Sequence, residues 1–247
     1  MSPLVIAALT LAMVGTAFLS GLFGMAGGLI LVGILLALLP LPAAMVLHAV
    51  TQMASNGWRA LLWRRHIGWR AVGAYLAGTV TALALWAIYR WVPDKPTAMI
   101  LLGASPFLVR LVPARARPDP ENLWHGLVYG TACMSLMLVT GVSGPLMDTY
   151  FLGGRLDRKQ IVATKAFCQL FSHTAKLAYF GGIIDQAAAL DPVMAGFAIA
   201  ASMLGTTLAA RLLARMTDAQ FRRWANRLII TIAVYYLIHG TWLFALS

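Results

Sequence analysis

The 247-residue chain is 60% hydrophobic and only 11% charged, about half the charged fraction of a soluble domain, so its predicted solvent is lipid. Its net charge of +11 arises from 19 Lys and Arg against 8 Asp and Glu. Fourteen of these bases fall in four short segments, at 64–70, 110–117, 155–159 and 211–227. Basic short loops mark the cytoplasmic side of a membrane protein, which argues against nucleic acid as the partner.

Apolar stretches nearly tile the chain and predict its elements in order. The start lacks a basic n-region, so we expect the first stretch to remain in the membrane. Stretches of spanning length lie at 4–20, 43–63, 69–91, 96–112, 161–180, 190–213 and 226–246. Half-length pieces lie at 27–39, 124–139 and 142–152.

Two glycine clusters, at 24–28 and 141–145, interrupt apolar stretches and lie 117 positions apart. Glycine-broken hydrophobic segments at matching places in two halves are the best sequence pointer to the binding site of a transporter. The same offset aligns Gln52 with Gln169, Ser55 with Ser172, Asn56 with His173, and Arg59 with Lys176.

The basic loops determine a predicted topology. If they are cytoplasmic, residues 124–152 enter and leave the membrane on the same side, and by the offset 4–39 do so from the other side. The predicted fold is an all-α polytopic membrane protein of two inverted repeats, each a glycine-broken re-entrant helical hairpin plus three transmembrane helices. The repeats are 1–112 and 123–247, joined by a cytoplasmic linker at 113–122, with both termini outside. The alternative makes 4–39 and 124–152 long tilted helices that the glycines merely kink.

Each hairpin turn is predicted to bind an anion. Bare backbone at membrane depth must be satisfied by protein or a cavity, and helix N-termini favour negative charge. Close packing of small residues is the competing interpretation of the glycines. The candidate residues of the two turns are Gly24, Gly27, Gly28, Gly141, Ser143 and Gly144.

Polar residues within the spans extend the candidate site, because such groups face the interior. Gln52 and Gln169 have amide hydrogens for an oxyanion, although hydrogen bonds between helices would explain them equally well. His173, with Ser172 before it and Asn56 at its matching position, follows one turn further on. For His173 a purely structural role stays open.

Ionisable residues near the span ends allow two interpretations each. Arg59 and Lys176 either snorkel to the headgroups or select anions at the entrance and exit. His48 and Lys165 are expected at the interface. Asp148 lies within the second hairpin, where an unpaired carboxylate would suit proton coupling. It would otherwise neutralise Lys165 or cap the hairpin.

These residues resemble the sulfite exporter TauE/SafE family, also called the 4-toluene sulfonate uptake permease family. The likeness covers nearly the whole chain and rests on the following segments: 21–28, 49–69, 141–145, 163–165 and 176–182. The resemblance implies a secondary transporter of sulfite or a sulfonate in the bacterial inner membrane. This chain departs from the pattern in a thinner first glycine run, with no proline soon after it.

Other functions are less consistent with the sequence. A membrane thiol-redox conduit would place one cysteine in each repeat, whereas Cys133 and Cys168 both lie in the second. No ATP-binding loop, zinc-ligand spacing or catalytic triad is found, so we expect neither an enzyme nor a cofactor or metal. A transporter of a different organic anion remains open. The expected partners are the bilayer, a small anion and, from symmetry preferences, a second copy in a homodimer.

Overall fold

The computed structural model describes residues 3–23, 26–111, 118–152, 156–184, 191–213 and 218–246. These ranges are helical throughout their regular structure, as the apolar tiling predicts. The α-helices are α1 Pro3–Phe23, α2 Ala26–Leu38, α3 Leu41–Leu62, α4 Trp69–Tyr89, α5 Lys95–Arg110, α6 Leu123–Thr140, α7 Gly144–Leu152, α8 Arg158–Ala178, α9 Pro192–Leu213 and α10 Asp218–Leu246.

Local signals in the sequence explain several helix ends. Asp94 accepts the amide of Thr97 at the start of α5, and Asn122 caps α6. Asp157 and Gln160 form a capping box at the start of α8. Gly141 ends α6 in the left-handed conformation, at φ +85°, where a side chain would be strained. These caps limit the helices to the lengths that the hairpins and spans require.

The chain reverses its direction between α1 and α2 and again between α6 and α7. A side chain at Gly27, the second residue of α2, would overlap the carbonyl of Thr16 in α1. A continuous helix would hold residues 16 and 27 about 16 Å apart. In the second hairpin the Tyr150 hydroxyl, near the end of α7, donates to the Pro120 carbonyl, just before α6, at 3.1 Å. The alternative of long kinked helices is therefore wrong.

Four helices among the described residues are long and apolar enough to cross a membrane. They lie at 69–89, 123–140, 192–212 and 227–246. Helices α3 and α8 have similar lengths, 22 and 21 residues, but carry the polar candidates instead of a uniformly apolar sequence. The chain is thus a multi-pass membrane protein with a polar central pair of helices.

Each of the four most extensive helix contacts joins one helix of the first half to one helix of the second half. Helix α1 packs on α9 of the other half, and the matching α6 packs on α4. Helices α3 and α8 pack on each other, as do α5 and α10. Glycines bring these backbones together: a side chain at Gly78 would overlap the Leu127 carbonyl, and one at Gly205 would overlap the Val14 carbonyl.

Helices α3 and α8, which match under the 117-residue offset, run antiparallel at the centre of the bundle. Gly57 near the end of α3 lies against Leu170 in the middle of α8. His48, earlier in α3, bonds to Lys176, later in α8, at 2.7 Å. Polar candidates from both helices therefore meet across the antiparallel contact.

Helices α5 and α10 are also antiparallel. Gly103 of α5 lies against Ala233 and Leu237 of α10, whereas Ile100, one turn earlier, lies against Gly240. The third helices of the two halves, α3 and α8, and the fifth helices, α5 and α10, thus each pack on one another in opposite directions.

Candidate functional site

A small buried cavity lies between the two hairpin turns and the central helix pair. Its volume is about 20 Å³, room for roughly one water molecule, so it must widen before it admits an oxyanion. The lining is contributed by α1, α2, α3, α6, α7 and α8 and by the turn between α6 and α7. The lining residues are Ser20, Gly28, Gln52, Asn56, Met137, Val142, Ser143, Gly144, Gln169 and His173.

The cavity lies where the two halves meet in matching ways. Three pairs of its lining residues are related by the 117-residue offset, and the wall is therefore built largely twice from equivalent positions. These pairs are Ser20 with Met137, Gln52 with Gln169, and Asn56 with His173.

Four polar atoms in the cavity lining have no hydrogen-bond partner among the residues that the structure describes. They are Ser20 Oγ, Gln52 Nε2, Ser143 Oγ and His173 Nδ1, and each belongs to a side chain at most 6% exposed. A buried polar atom without a partner costs about 1–3 kcal/mol. Amides and hydroxyls donate hydrogen bonds, and an imidazole nitrogen does so when it carries the proton. Four free groups around one cavity indicate a place for a hydrogen-bonding ligand.

The second hairpin adds a helix N-terminus to this wall. The Ser143 carbonyl accepts the Met147 amide at 3.0 Å, which places Ser143 at the N-cap of the nine-residue helix α7. A capping serine normally turns its hydroxyl back onto the first turn, yet this hydroxyl is unpartnered. The first amides of α7 and its positive dipole end therefore favour an anion in the cavity beside the free hydroxyl.

A buried hydrogen-bond network joins the two hairpin turns behind the cavity. Lys176 Nζ lies 2.7 Å from His48 Nδ1 and donates to the Gly141 carbonyl at 3.0 Å. His48 Nε2 lies 3.0 Å from the Gly28 carbonyl. Both side chains are 0% exposed. The interpretation of Lys176 as snorkelling and of His48 as interfacial is therefore wrong.

A model of the family described as Sulfite exporter TauE/SafE matches residues 8–236. The chain belongs to this family. The match includes both hairpins, the central helix pair and most of α10, so it covers the complete cavity. TauE/SafE proteins are membrane transporters of sulfur anions, and the resemblance seen in the sequence is confirmed. No curated protein and no solved structure shows a significant match to the chain.

The structure brings together most of the candidates of this TauE/SafE chain. Gly28, Ser143, Gly144, Gln52, Asn56, Gln169 and His173 line the cavity. Asn56 Nδ2 also donates to the Gln52 carbonyl at 2.9 Å, which holds its amide beside the cavity. Gly24 lies outside the described residues. The roles of these residues in binding remain predictions.

Glycines of the turns have different surroundings. Gly27 packs directly on α1, as the close-packing interpretation expects. A Cβ at Gly28 would instead lie 3.4 Å from Gln52 Oε1, beside the cavity. Gly141 has its carbonyl on Lys176 and its positive φ at the reversal. Of the glycines predicted to bind the anion, only some, such as Gly28, therefore lie in the cavity wall.

Other candidates lie outside the cavity lining. The Ser172 hydroxyl bonds to Tyr75 at 3.4 Å, and the matching Ser55 bonds to Thr206 at 2.8 Å. Each serine thus ties a central helix to the fourth helix of the opposite half, α4 or α9. Arg59 does not line the cavity, and one of its terminal nitrogens is buried with no hydrogen-bond partner in the described part of the chain.

Asp148 forms an ion pair with Lys165 and does not line the cavity. The Asp148 side chain is 34% exposed and that of Lys165 is 13% exposed. The unpaired carboxylate on which the proton-coupling hypothesis depended is absent at this position, and the neutralising interpretation describes the contact. Lys165 is half-buried in this pair.

Three lining residues were missed in the sequence: Ser20, Met137 and Val142. Ser20 lies in the first arm of the hairpin, ahead of the glycine cluster. Ser20 aligns with Met137 under the offset. Because a serine and a methionine differ in chemistry, comparing the two halves did not single out either residue. Only the fold-back of both hairpins shows that these arms reach the cavity.

Proposed function

We propose that this chain is a secondary transporter that moves a small sulfur-containing oxyanion, a sulfonate or sulfite, across the bacterial inner membrane. The substrate binds in the cavity between the hairpin turns. The observation that carries this proposal is the set of four unpartnered polar atoms around that cavity, on Ser20, Gln52, Ser143 and His173. Membership of the TauE/SafE family supplies the substrate class.

The chemistry of the lining matches an oxyanion. Sulfite and sulfonate oxygens only accept hydrogen bonds, and the lining offers amides, hydroxyls, an imidazole and the first amides of α7. Among the described residues, none that lines the cavity carries a carboxylate that would repel an anion. Donors without full charge bind the anion but release it more readily than paired guanidinium groups would, as turnover requires.

Alternating access follows from inverted repeats, which we infer for the two halves. The antiparallel packing of α3 on α8 and of α5 on α10 supports this inference, because inverted repeats place matching helices in opposite directions. In this proposal the hairpins are re-entrant, the basic loops are cytoplasmic and both termini are outside. A homodimer is the expected assembly.

Transport then requires the closed cavity to open to each side in turn. At about 20 Å³ the cavity is too small for sulfite, so the structure represents a closed arrangement in this scheme. Movement of one hairpin against the central helices would enlarge it on one side. The polar pair α3 and α8 remains the shared wall for both openings.

A ligand panel tests the substrate class. Purified protein is heated with sulfite, methanesulfonate, 4-toluenesulfonate, sulfate, acetate or chloride, since a ligand that binds only the folded state raises the unfolding midpoint as its concentration exceeds its dissociation constant. We expect stabilisation by sulfite or a sulfonate and none by chloride. Equal responses to acetate and the sulfur anions would favour the alternative of a general organic-anion transporter.

Paired serine variants locate the effect. Replacing Ser20 and Ser143 together with Ala should remove the stabilisation by the sulfur anions. Ser202→Ala is the matched control, because Ser202 is also fully buried but its hydroxyl is satisfied by the Ala198 carbonyl. A retained ligand response in the double variant would place binding elsewhere.

A thiol-redox conduit gains no support from the cavity. Cys133 and Cys168 are both buried free thiols in a second apolar cluster with Tyr75 and Phe151. Neither lines the cavity. Replacing both with Ser should leave anion binding intact.

A further inference from the structure

The network behind the cavity has a defined hydrogen-bond polarity. The Gly28 carbonyl only accepts, so His48 Nε2 carries a hydrogen and donates to it across 3.0 Å. At the other end the Gly141 carbonyl accepts from Lys176 Nζ. The 2.7 Å contact between Nζ and Nδ1 therefore needs one donor and one acceptor.

Counting hydrogens shows how many protons this contact holds. With a neutral amine and a neutral imidazole, Nζ donates to Nδ1 and to Gly141. One added proton leaves every bond in place: it gives either an ammonium donating to Nδ1 or an imidazolium whose Nδ1 donates to the amine lone pair. With a proton on both groups, two donors would face each other. The Lys176–His48 pair is thus suited to hold zero or one proton.

The positive charge of the one-proton form has no counter-ion within the described part of the chain. Lys176 bonds only to His48 and a carbonyl there, and both side chains are 0% exposed. A buried ion with only neutral partners is destabilised because it has lost its hydration without gaining an opposite charge. An anion nearby would offset that cost.

The cavity adjoins this network and offers a place for such an anion. Gly28, whose carbonyl holds His48, lines it, and Val142 and Ser143 directly follow Gly141. The His173 ring, also in the lining, lies 5.5 Å from the His48 ring, centroid to centroid. Among the other titratable groups of the described part of the chain, Tyr75 bonds to Ser172, the Tyr179 hydroxyl donates to the Trp91 carbonyl, and Asp148 pairs with Lys165. Arg59 lies eleven residues further along α3 than His48 and does not line the cavity.

The two halves differ at this point. Under the 117-residue offset, the contact equivalent to Lys176–His48 is Arg59–Lys165, two strong bases that cannot share a proton in the same way. Lys165 bonds to Asp148 instead. Of these two offset-related contacts in the described part of the chain, only Lys176–His48 can therefore hold a shared proton.

We propose that the Lys176–His48 pair is the proton-binding site of the transporter, and that it takes up one proton when an anion enters the cavity. This assignment rests on the proposed function and replaces Asp148 as the coupling group. By linkage, bound anion favours the proton and the proton favours the anion to the same extent. Anion and proton then cross the membrane together as a nearly neutral unit.

Calorimetry in two buffers of different ionisation enthalpy measures the proton directly. Methanesulfonate is the probe, because it does not itself titrate between about pH 6 and pH 9, unlike sulfite. The full-length protein should take up about one proton per bound anion over part of that range. Binding with no uptake at any pH in the range would overturn the proton assignment and leave the proposed function intact. Binding of neither methanesulfonate nor sulfite would overturn both.

Two variants of Lys176 separate charge from structure. Lys176→Arg keeps a permanent charge and should bind methanesulfonate without proton uptake, with a pH-independent affinity. Lys176→Met should lose the uptake and bind at least about tenfold more weakly. Lys165→Arg is the control and should behave as the parent protein does. Full proton uptake in Lys176→Arg would contradict the assignment.

Discussion

Replacing Gln52 with Met should stabilise the empty protein and abolish its response to the substrate. Gln52 Nε2 belongs to a side chain 6% exposed and has no hydrogen-bond partner among the described residues. Such an unsatisfied buried group costs about 1–3 kcal/mol. Methionine has nearly the same volume and shape without the polar amide. The free energy of unfolding of the ligand-free variant should therefore rise by up to that amount. The gain would show that the amide is maintained for a ligand at the expense of stability.

Denaturation of both proteins with and without methanesulfonate measures the two effects together. At a concentration of about 100 times the dissociation constant, a ligand stabilises its folded protein by about 2.7 kcal/mol. The parent protein should gain this increment, and Gln52→Met should gain little or none. Thr51→Val is the control, because Thr51 is 0% exposed and its hydroxyl is satisfied by Leu47 at 2.8 Å. A less stable Gln52→Met variant that still responds fully to ligand would refute the reasoning.

Three further substitutions test other parts of the structure. Gly28→Ala places a methyl group 3.4 Å from Gln52 Oε1 and should weaken methanesulfonate binding at least about tenfold by calorimetry, without unfolding the protein. Asp148→Asn breaks the partly exposed pair with Lys165 and should lower stability by about 1 kcal/mol in a denaturant titration, with an unchanged pH profile of binding. Gly78→Val should force α4 away from α6 at a cost of about 1–3 kcal/mol or more, seen as loss of the monodisperse peak in size-exclusion chromatography. A tolerated Gly78→Val would contradict the close approach of α4 and α6, and full affinity in Gly28→Ala would contradict the place of Gly28 at the binding site. A shifted pH profile in Asp148→Asn would show that Asp148 takes part in proton coupling.

Much of the fold could be predicted from hydrophobic length and glycine placement alone. The helix predicted at 43–63 is observed as α3 Leu41–Leu62, and that at 124–139 as α6 Leu123–Thr140. The glycine clusters indicated reversals because apolar helices do not otherwise break at membrane depth. The offset also identified Gln52 and Gln169, which both line the cavity.

The environment of the ionisable residues could not be predicted from position along a span. His48 and Lys176 lie toward the ends of their helices, which suggested interfacial roles. Antiparallel packing of α3 on α8 instead pairs them, and the hairpin turns supply carbonyl partners that remove both from the surface. The 117-residue offset aligns His48 with Lys165, but it does not say which residues touch. The contact of His48 with Lys176 depends on how the two antiparallel helices are aligned lengthwise, which the sequence does not show.

The most direct measurement of the central claim is counterflow in proteoliposomes. Vesicles containing the purified protein are loaded with unlabelled sulfite or sulfonate and diluted into a trace of the same labelled anion. A carrier that alternates around one central site should concentrate the label transiently inside loaded vesicles, and Gln52→Met should not. Label uptake that is the same in loaded vesicles, empty vesicles and vesicles without protein would contradict the account.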